Sequence, residues 1–376
     1  MTRVQIQPEL VYWAAQQAGL PLDVFATQIS RRDADKIIEG SFSEAQIHRA
    51  SQVAKIKFYE LFLDEPPEQP KVPLIDFRTA QTSDPISKDF FDIYHDTQYK
   101  QEWYKDYLLR EGAEPLPFIG KYRTISNHKK IALAIREKLS MEERPTSGDY
   151  NAYYSFLAQK IEDLGVLVLK NGIVGNNTRR PLNVREFRGF TICDPIAPAI
   201  FINGRDAPAA WIFTLLHELA HLLRGDSGVS DASGNSTNRE EAFCNKIAAE
   251  ALVPEADFAT IWENSTHRNA DDKLFEAQSF FRVSMLVVAR RALDLELISR
   301  DKYLEKSRYS EAKNPRTSSG GNFYASLNVR NSRTLTKTVS NLAATGALSF
   351  KEAGRLLQVP PVNVMKVYKN NNAISS

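Results

Sequence analysis

Cysteine is nearly missing from this 376-residue chain. Its two residues, Cys193 and Cys244, cannot build a disulfide framework and fit a reducing compartment, so a cytoplasmic location is expected. Histidine is scarce as well, six in all, so any cluster of them carries weight. No stretch approaches 18 uninterrupted apolar residues, so neither a transmembrane helix nor a membrane partner is expected. Residues Met1 to Trp13 lack the charged-then-apolar layout of a signal peptide. Net charge is only +2 and by itself points to no partner. What is present is ordinary globular material, 43% hydrophobic and 25% charged, which excludes disorder as the main state. At about 150 residues per domain the length suggests two or three domains, large enough to bury a core without crosslinks.

The small net charge hides an asymmetry. Residues 1–70 carry 7 Lys/Arg against 10 Asp/Glu, whereas residues 281–376 carry 16 against 6. The opposite signs suggest different partners, or each other, although solvated faces look the same. Helical spacing runs from Pro8 to Gly19, Leu22 to Ile29, Arg31 to Glu39 and Glu44 to Ala54. Four prolines in residues 66–73 then break any helix or central strand and mark a linker. Residues 84–163 read mostly as helix, clearest at Ser126 to Met141 and Asp149 to Leu164. Strand signals follow at 166–169, 190–193 and 199–202, then helical patterns at 209–224, 239–252 and 255–310. A flexible Ser318–Asn322 break precedes a last helical segment. The expected organisation is a helical domain over 1–65, the linker 66–73, a catalytic domain over 74–310 and a basic helical segment over 323–376. The fold class is α+β, mainly helical.

The chemistry centres on His217-Glu218-Leu219-Ala220-His221. On a helix, residues four apart share a face, so both imidazoles can reach one metal ion. Glu218 lies one residue round the turn, where its carboxylate addresses an activated water rather than the ion. Metal-assisted peptide hydrolysis needs that division: neutral nitrogen ligands, an open position, and a base beside it. Random order would give on the order of 0.01 matches to this pattern in a chain of this composition. The flanks, Trp211 to Leu216 and Leu219 to Leu223, are nearly all apolar, so the helix is buried, and buried His and Glu need partners.

A catalytic zinc usually takes three protein ligands. His48, His95, His128 and His267 have no supporting neighbourhood. A better third donor is Glu241, on the amphipathic pattern from Arg239 to the stop before Pro254. There Glu241, Asn245 and Ala248 share one face, and Ala248 with Ala249 permits close approach of a second, roughly antiparallel helix. Asn245 can orient a ligand by hydrogen bonding. Glu240 reads as an ordinary first-turn acid favoured by the helix dipole. Cys244 and Cys193 read as structural. Zinc is the default ion for this donor set, with manganese as the alternative.

Phe213-Thr-Leu-Leu-His-Glu-Leu-Ala-His221, with Glu241-x-x-Cys-Asn-x-x-Ala-Ala and Leu252-Val-Pro254, resembles the ImmA/IrrE family of bacterial and phage metallopeptidases. The lead-in Glu186 to Asn203 and the downstream Val287 to Leu293 match the same family, so the resemblance spans roughly residues 74–300. One departure is Ile247, where the family more often has Phe, a packing change. The resemblance implies a zincin-like domain with a small sheet whose edge strand pairs with substrate. It also implies zinc on His217, His221 and Glu241, with Glu218 as catalytic base. Such enzymes commonly cleave Xre-type helix-turn-helix repressors and thereby induce phage, mobile-element or stress genes. The strands at 190–193 and 199–202 are consistent with addition of an extended substrate segment.

The N-terminal segment resembles a degenerate Xre helix-turn-helix, with Ala14 to Leu22, Ala26 and Ile37-Ile-Glu-Gly40 at core and turn positions. Arg31, Arg32 and Lys36 are interleaved with Asp33, Asp35 and Glu39, which favours a scaffold or repressor-docking module over DNA binding. At the other end, Ala347 to Pro360 reads as a Ser-capped helix and a tight turn, followed by a second helix from about Pro361 to Tyr368. Such a pair can lie in a major groove or serve as plain packing, and only the charge excess argues for DNA contact. Two functions therefore compete: an endopeptidase acting on a repressor, and a DNA-associated regulator or toxin–antitoxin partner with a structural or vestigial metal site. Glu218 discriminates, because a structural site needs no base. Tyr122, Tyr368 and His267 have side chains suited to stabilising an oxyanion.

Overall fold

The computed structural model of the chain describes residues 3–54, 56–67, 75–76, 86–143, 149–230, 239–311 and 323–373. Apart from Pro66 and Pro67, the expected linker lies outside them, as does the 318–322 break. The chain divides into two compact units, Met1–Pro73 with Pro85–Asp92, and Leu74–Asp84 with Ile93–Ser376. The fold is α+β and mainly helical. Among the described residues no helix is long and apolar enough to cross a membrane.

In the first unit, strand β1 (Val4–Gln5) pairs antiparallel with β2 (Ser41–Phe42), and helices α1 (Pro8–Gln17), α2 (Leu22–Ile29) and α3 (Ala34–Ile38) lie between them in sequence. Helix α4 (Glu44–Val53) follows, started by a reciprocal cap between Ser43 and Gln46. Leu10, Ala14, Phe25, Ile37, Ile47 and Ala50 form its buried centre. The third helix is shorter than its sequence pattern, because Ser30 accepts the Asp33 amide and turns the chain first. Lys36 and Arg3 lie 3.5 and 3.7 Å from the Asp33 carboxylate, so Lys36 is engaged within the unit.

The second unit holds β3 (Ile75–Asp76), most of α5 (Lys88–Arg110), α6 (His128–Lys138), α7 (Tyr150–Asp163), β4 (Leu167–Asn171), and a hairpin of β5 (Ile173–Val174) and β6 (Asn177–Pro181). Then come β7 (Gly189–Ile192), β8 (Ala199–Asn203), α8 (Pro208–Arg224), β9 (Gly228–Ser230) and α9 (Arg239–Leu252). Helices α10 (Glu255–Asn264), α11 (Ala270–Phe281), α12 (Met285–Asp294) and α13 (Arg300–Glu311) precede the C-terminal α14 (Phe323–Arg330), α15 (Arg333–Ala344), α16 (Phe350–Leu357) and α17 (Val364–Ala373).

Five strands form one sheet in the order β3-β9-β7-β8-β4. The β7–β8 and β7–β9 pairs are antiparallel, while β4–β8 and β3–β9 are parallel. Alternation assigns the faces. Phe190 stands opposite Phe201 in register, and their rings stack at 4.9 Å on one side. On the other, Gly189 and Thr191 face α8, and Ile200 and Ile202 join its Ile212, Leu215 and Leu219 in the main core. This order corrects one expectation. The strands at 189–192 and 199–203 are interior, each hydrogen-bonded on both sides, so neither offers a free edge to a substrate. Beside β7 that place is taken by β9, whose three residues carry too little pattern to be predicted from sequence.

Candidate metal centre

Helix α8 carries the histidines. Pro208 opens it, where a missing N–H costs nothing. Gly225 closes it in the left-handed conformation (φ +83°), which only glycine adopts without strain. Every residue from Thr214 to Arg224 is buried, so the apolar flanks expected from the sequence do enclose the polar centre. Against it lies α9, and the contacts fix its direction. Arg224 meets Glu240, His221 meets Glu241 and Cys244, and Asn245 acts on His217, so one helix ascends as the other descends.

His217 Nε2 and His221 Nε2 stand 3.1 Å apart. The Glu241 carboxylate closes the triangle, with Oε2 at 3.2 Å from His217 and Oε1 at 2.9 Å from His221. Ligand atoms of all three residues lie within 4.8 Å of one another, and all three side chains are buried. Two nitrogens at 2.0–2.1 Å from a tetrahedral ion would be separated by about 3.3 Å. Two imidazoles and one carboxylate, converging in a buried site, are thus a donor set and a spacing that fit a divalent ion such as zinc. The same convergence shapes the charges. Burial disfavours a charged His217, but the Glu241 carboxylate outweighs it and raises the imidazole above its usual range. Burial also works against an ionised Glu241, and the two histidines overcome it and hold its carboxyl well below normal.

Glu218 points elsewhere. Its Oε2 accepts a hydrogen bond from the Thr191 hydroxyl at 2.6 Å, on the neighbouring strand β7. Burial, opposed by the two histidines and Thr191, raises its carboxyl above the ordinary range. Gly189, two residues along the strand, comes so close that a Cβ there would sit 2.7 Å from Oε1 and 2.8 Å from the Thr214 methyl. The strand therefore holds one carboxylate oxygen by a hydrogen bond and approaches the other closely, with no side chain at Gly189 to displace it.

Several supports were not read from the sequence. Glu240 does more than face a helix dipole: it accepts a 2.8 Å hydrogen bond from Arg224 Nε and ties α8 and α9 together. Arg224 in turn donates to the carbonyls of Tyr122 and Ile125. Cys244, read as plain core, places its sulfur 3.7 Å from His221 Nδ1, behind the ring and away from the donor cluster. Cys193 donates its amide to Ser227 Oγ at 2.7 Å, a structural role. The three oxyanion candidates are scattered. Tyr122 lies on the segment bonded to the end of α8, Tyr368 on α17, and His267 on the exposed connection between α10 and α11.

A family model described as the IrrE N-terminal-like domain, Peptidase M78, matches residues 161–293. That span runs from the end of α7 to α12 and contains His217, Glu218, His221 and Glu241. It points to a metallopeptidase-like family. No curated protein and no solved structure matches the chain.

Proposed function

We propose that this chain is a zinc-dependent endopeptidase that cuts a regulatory protein, of the helix-turn-helix repressor type. The observation that carries this reading is the division of labour around α8. Three donors converge on one point, while Glu218 is held out of that cluster by a strand. A structural metal site would have no use for the second arrangement.

When bound, the ion supplies Lewis acidity for the scissile carbonyl and for water. The protein's own groups do the rest. His217, His221 and Glu241 would hold the ion, with Cys244 behind the His221 ring. Thr191 keeps Glu218 Oε2 occupied, so Oε1 is the atom that takes the proton from the attacking water and returns it to the leaving amine. Gly189, without a side chain, lets the strand approach Oε1 without displacing it. All four central residues are shielded from solvent, and β9 already fills the side of β7 next to Glu218. A peptide therefore reaches the base only after the surroundings open. A repressor as substrate is supported by the resemblance of the motif set and by the repressor-like pattern of residues 8–62, which suits docking on a related fold.

The test is to load the purified chain with zinc, incubate it with candidate repressors, and analyse fragments by mass spectrometry. Wild-type protein is expected to cut at a defined bond and to stop when chelated. Glu218→Gln is expected to retain one ion per chain and lose hydrolysis by several orders of magnitude, whereas a His217→Ala/His221→Ala variant loses the ion. Full metal content in the double variant, or full activity in Glu218→Gln, removes this reading.

A further inference from the structure

The C-terminal helices carry a charge that the peptidase chemistry does not use. Residues 323–373 contain seven Lys/Arg and a single acid, Glu352. That acid is engaged, since it accepts the Trp103 indole N–H at 3.2 Å. Arg330 and Arg333 are turned to other parts of the unit, bonded to Asn176 and Gln159. Lys337, Lys351, Arg355, Lys366 and Lys369 remain at the surface, Arg355 over the Tyr99 ring at 4.7 Å.

These cations sit on a defined scaffold. Ser349 caps α16 by accepting the Glu352 amide. The helix ends at Gln358 in the left-handed conformation (φ +55°), and the chain turns through Pro360 into α17. Gly354 lets that turn close tightly, because a Cβ there would meet the Val359 carbonyl oxygen at 2.7 Å. Leu356, Leu357, Val364 and Val367 are buried where α16 and α17 pack on α15, whose Leu335 and Val339 are buried too. With Val364 and Val367 inward, Lys366 and Lys369 lie three residues apart on the outward face of α17. Val362, at the helix start, is 81% exposed. The turn is anchored from behind, with Gln358 donating to Asp96 at 2.7 Å and accepting from Asn176 at 2.6 Å.

We infer that α16, the turn and α17 form a docking surface for double-stranded DNA, with α17 as the helix that enters the major groove. A helix–turn–helix pair with a tight small-residue crossing, an exposed start to the second helix and cations along its outer face has the shape that groove admits. An exposed valine and Asn363 at the helix start present an apolar contact for a thymine methyl and an amide for an adenine edge. Duplex RNA fits poorly, since its major groove is too deep and narrow for a helix. The surface is separate from the metal centre, and the inference stands whether or not the chain is a peptidase.

The full chain is titrated against a labelled DNA duplex of about 20 base pairs, two helical turns, by fluorescence anisotropy over a range of salt. Binding is expected to weaken steeply with salt, with a log–log slope of about −3 to −4 if the four exposed cations of α16 and α17 each meet a phosphate. Lys366→Glu/Lys369→Glu is expected to weaken binding at least about tenfold and to reduce the slope by about two. Lys366→Ala/Lys369→Ala should give a smaller loss, and unchanged thermal unfolding of both variants keeps the comparison fair. Four results overturn the inference: no duplex binding at low salt, binding unchanged in both variants, loss caused instead by Arg31→Glu/Arg32→Glu, or duplex RNA or polyglutamate bound as tightly as DNA.

Discussion

Replacing Thr191 by Val tests the assignment of the base without touching the base. The hydroxyl donates to Glu218 Oε2 at 2.6 Å, and both residues are fully buried. Valine keeps the shape of the side chain and removes only the O–H. A hydrogen bond to a charged group contributes about 1.5–3 kcal/mol. If losing the bond lets the carboxylate leave its productive orientation, and that orientation must be restored at the transition state, the chemical step slows by up to about 10- to 150-fold. The bond orients the base and does not hold substrate, so kcat should fall while KM stays put. Thr191 touches none of the three donors, so metal content should stay at one ion per chain. Thr191→Ser restores a donor and should recover most of the rate. The assay is hydrolysis of the repressor fragment identified by mass spectrometry, with metal analysis on the same preparations. Wild-type kcat in Thr191→Val, or a loss that serine does not repair, would show that Glu218 does not depend on this bond. Absence of cleavage by the wild type would instead count against the peptidase reading itself.

Gly189→Ala should be more severe, because its Cβ would lie 2.7 Å from Glu218 Oε1 and 3.0 Å from the backbone oxygen of Phe201, which cannot yield. The expected result is activity below that of Thr191→Val and about 1–3 kcal/mol less stability in denaturant unfolding, and a fully active variant would refute the close approach. A pH effect is expected away from the metal centre, at Glu162. Burial pushes its carboxyl up to about 7, despite hydrogen bonds from Ser332 and the Arg333 amide that favour the ionised form. Below its ordinary value of 4.5 both folded and unfolded chains hold the proton; between 4.5 and about 7 the unfolded chain releases it first. Stability therefore falls as pH rises through that window, by about 3 kcal/mol at most, and the loss is complete above it. Glu162→Gln should flatten the pH dependence and be the more stable form at pH 8, as thermal or urea unfolding across the window would reveal.

Local pattern was enough for some of this. Residues four apart on a helix share a face whatever surrounds them, so the pairing of His217 with His221 and the separate direction of Glu218 are consequences of spacing alone. The same periodicity gives α8 and α9 almost to the residue, since Pro208, Gly225 and Pro254 mark their ends chemically. Glu241 was legible one step further, as the carboxylate on the small-residue face of the next amphipathic helix.

What the sequence could not supply depends on which segments meet. Thr191 lies 27 residues before Glu218 on another element, and a threonine in a four-residue strand gives no sign that its hydroxyl faces a carboxylate. Gly189 reads as a strand glycine until Glu218 and the Phe201 carbonyl are placed against it. The pairing of Glu240 with Arg224, and of Cys244 with His221, follows from the antiparallel approach of α8 and α9, which no single helix pattern encodes. Strand order is also nonlocal. The segments at 189–192 and 199–203 have the composition of strands, but only the three-residue piece β9, too short to show alternation, makes β7 interior. Periodicity records which face of a segment avoids water; the partner that covers that face is chosen by the rest of the chain, and here that choice orders the sheet and directs the Glu218 carboxylate.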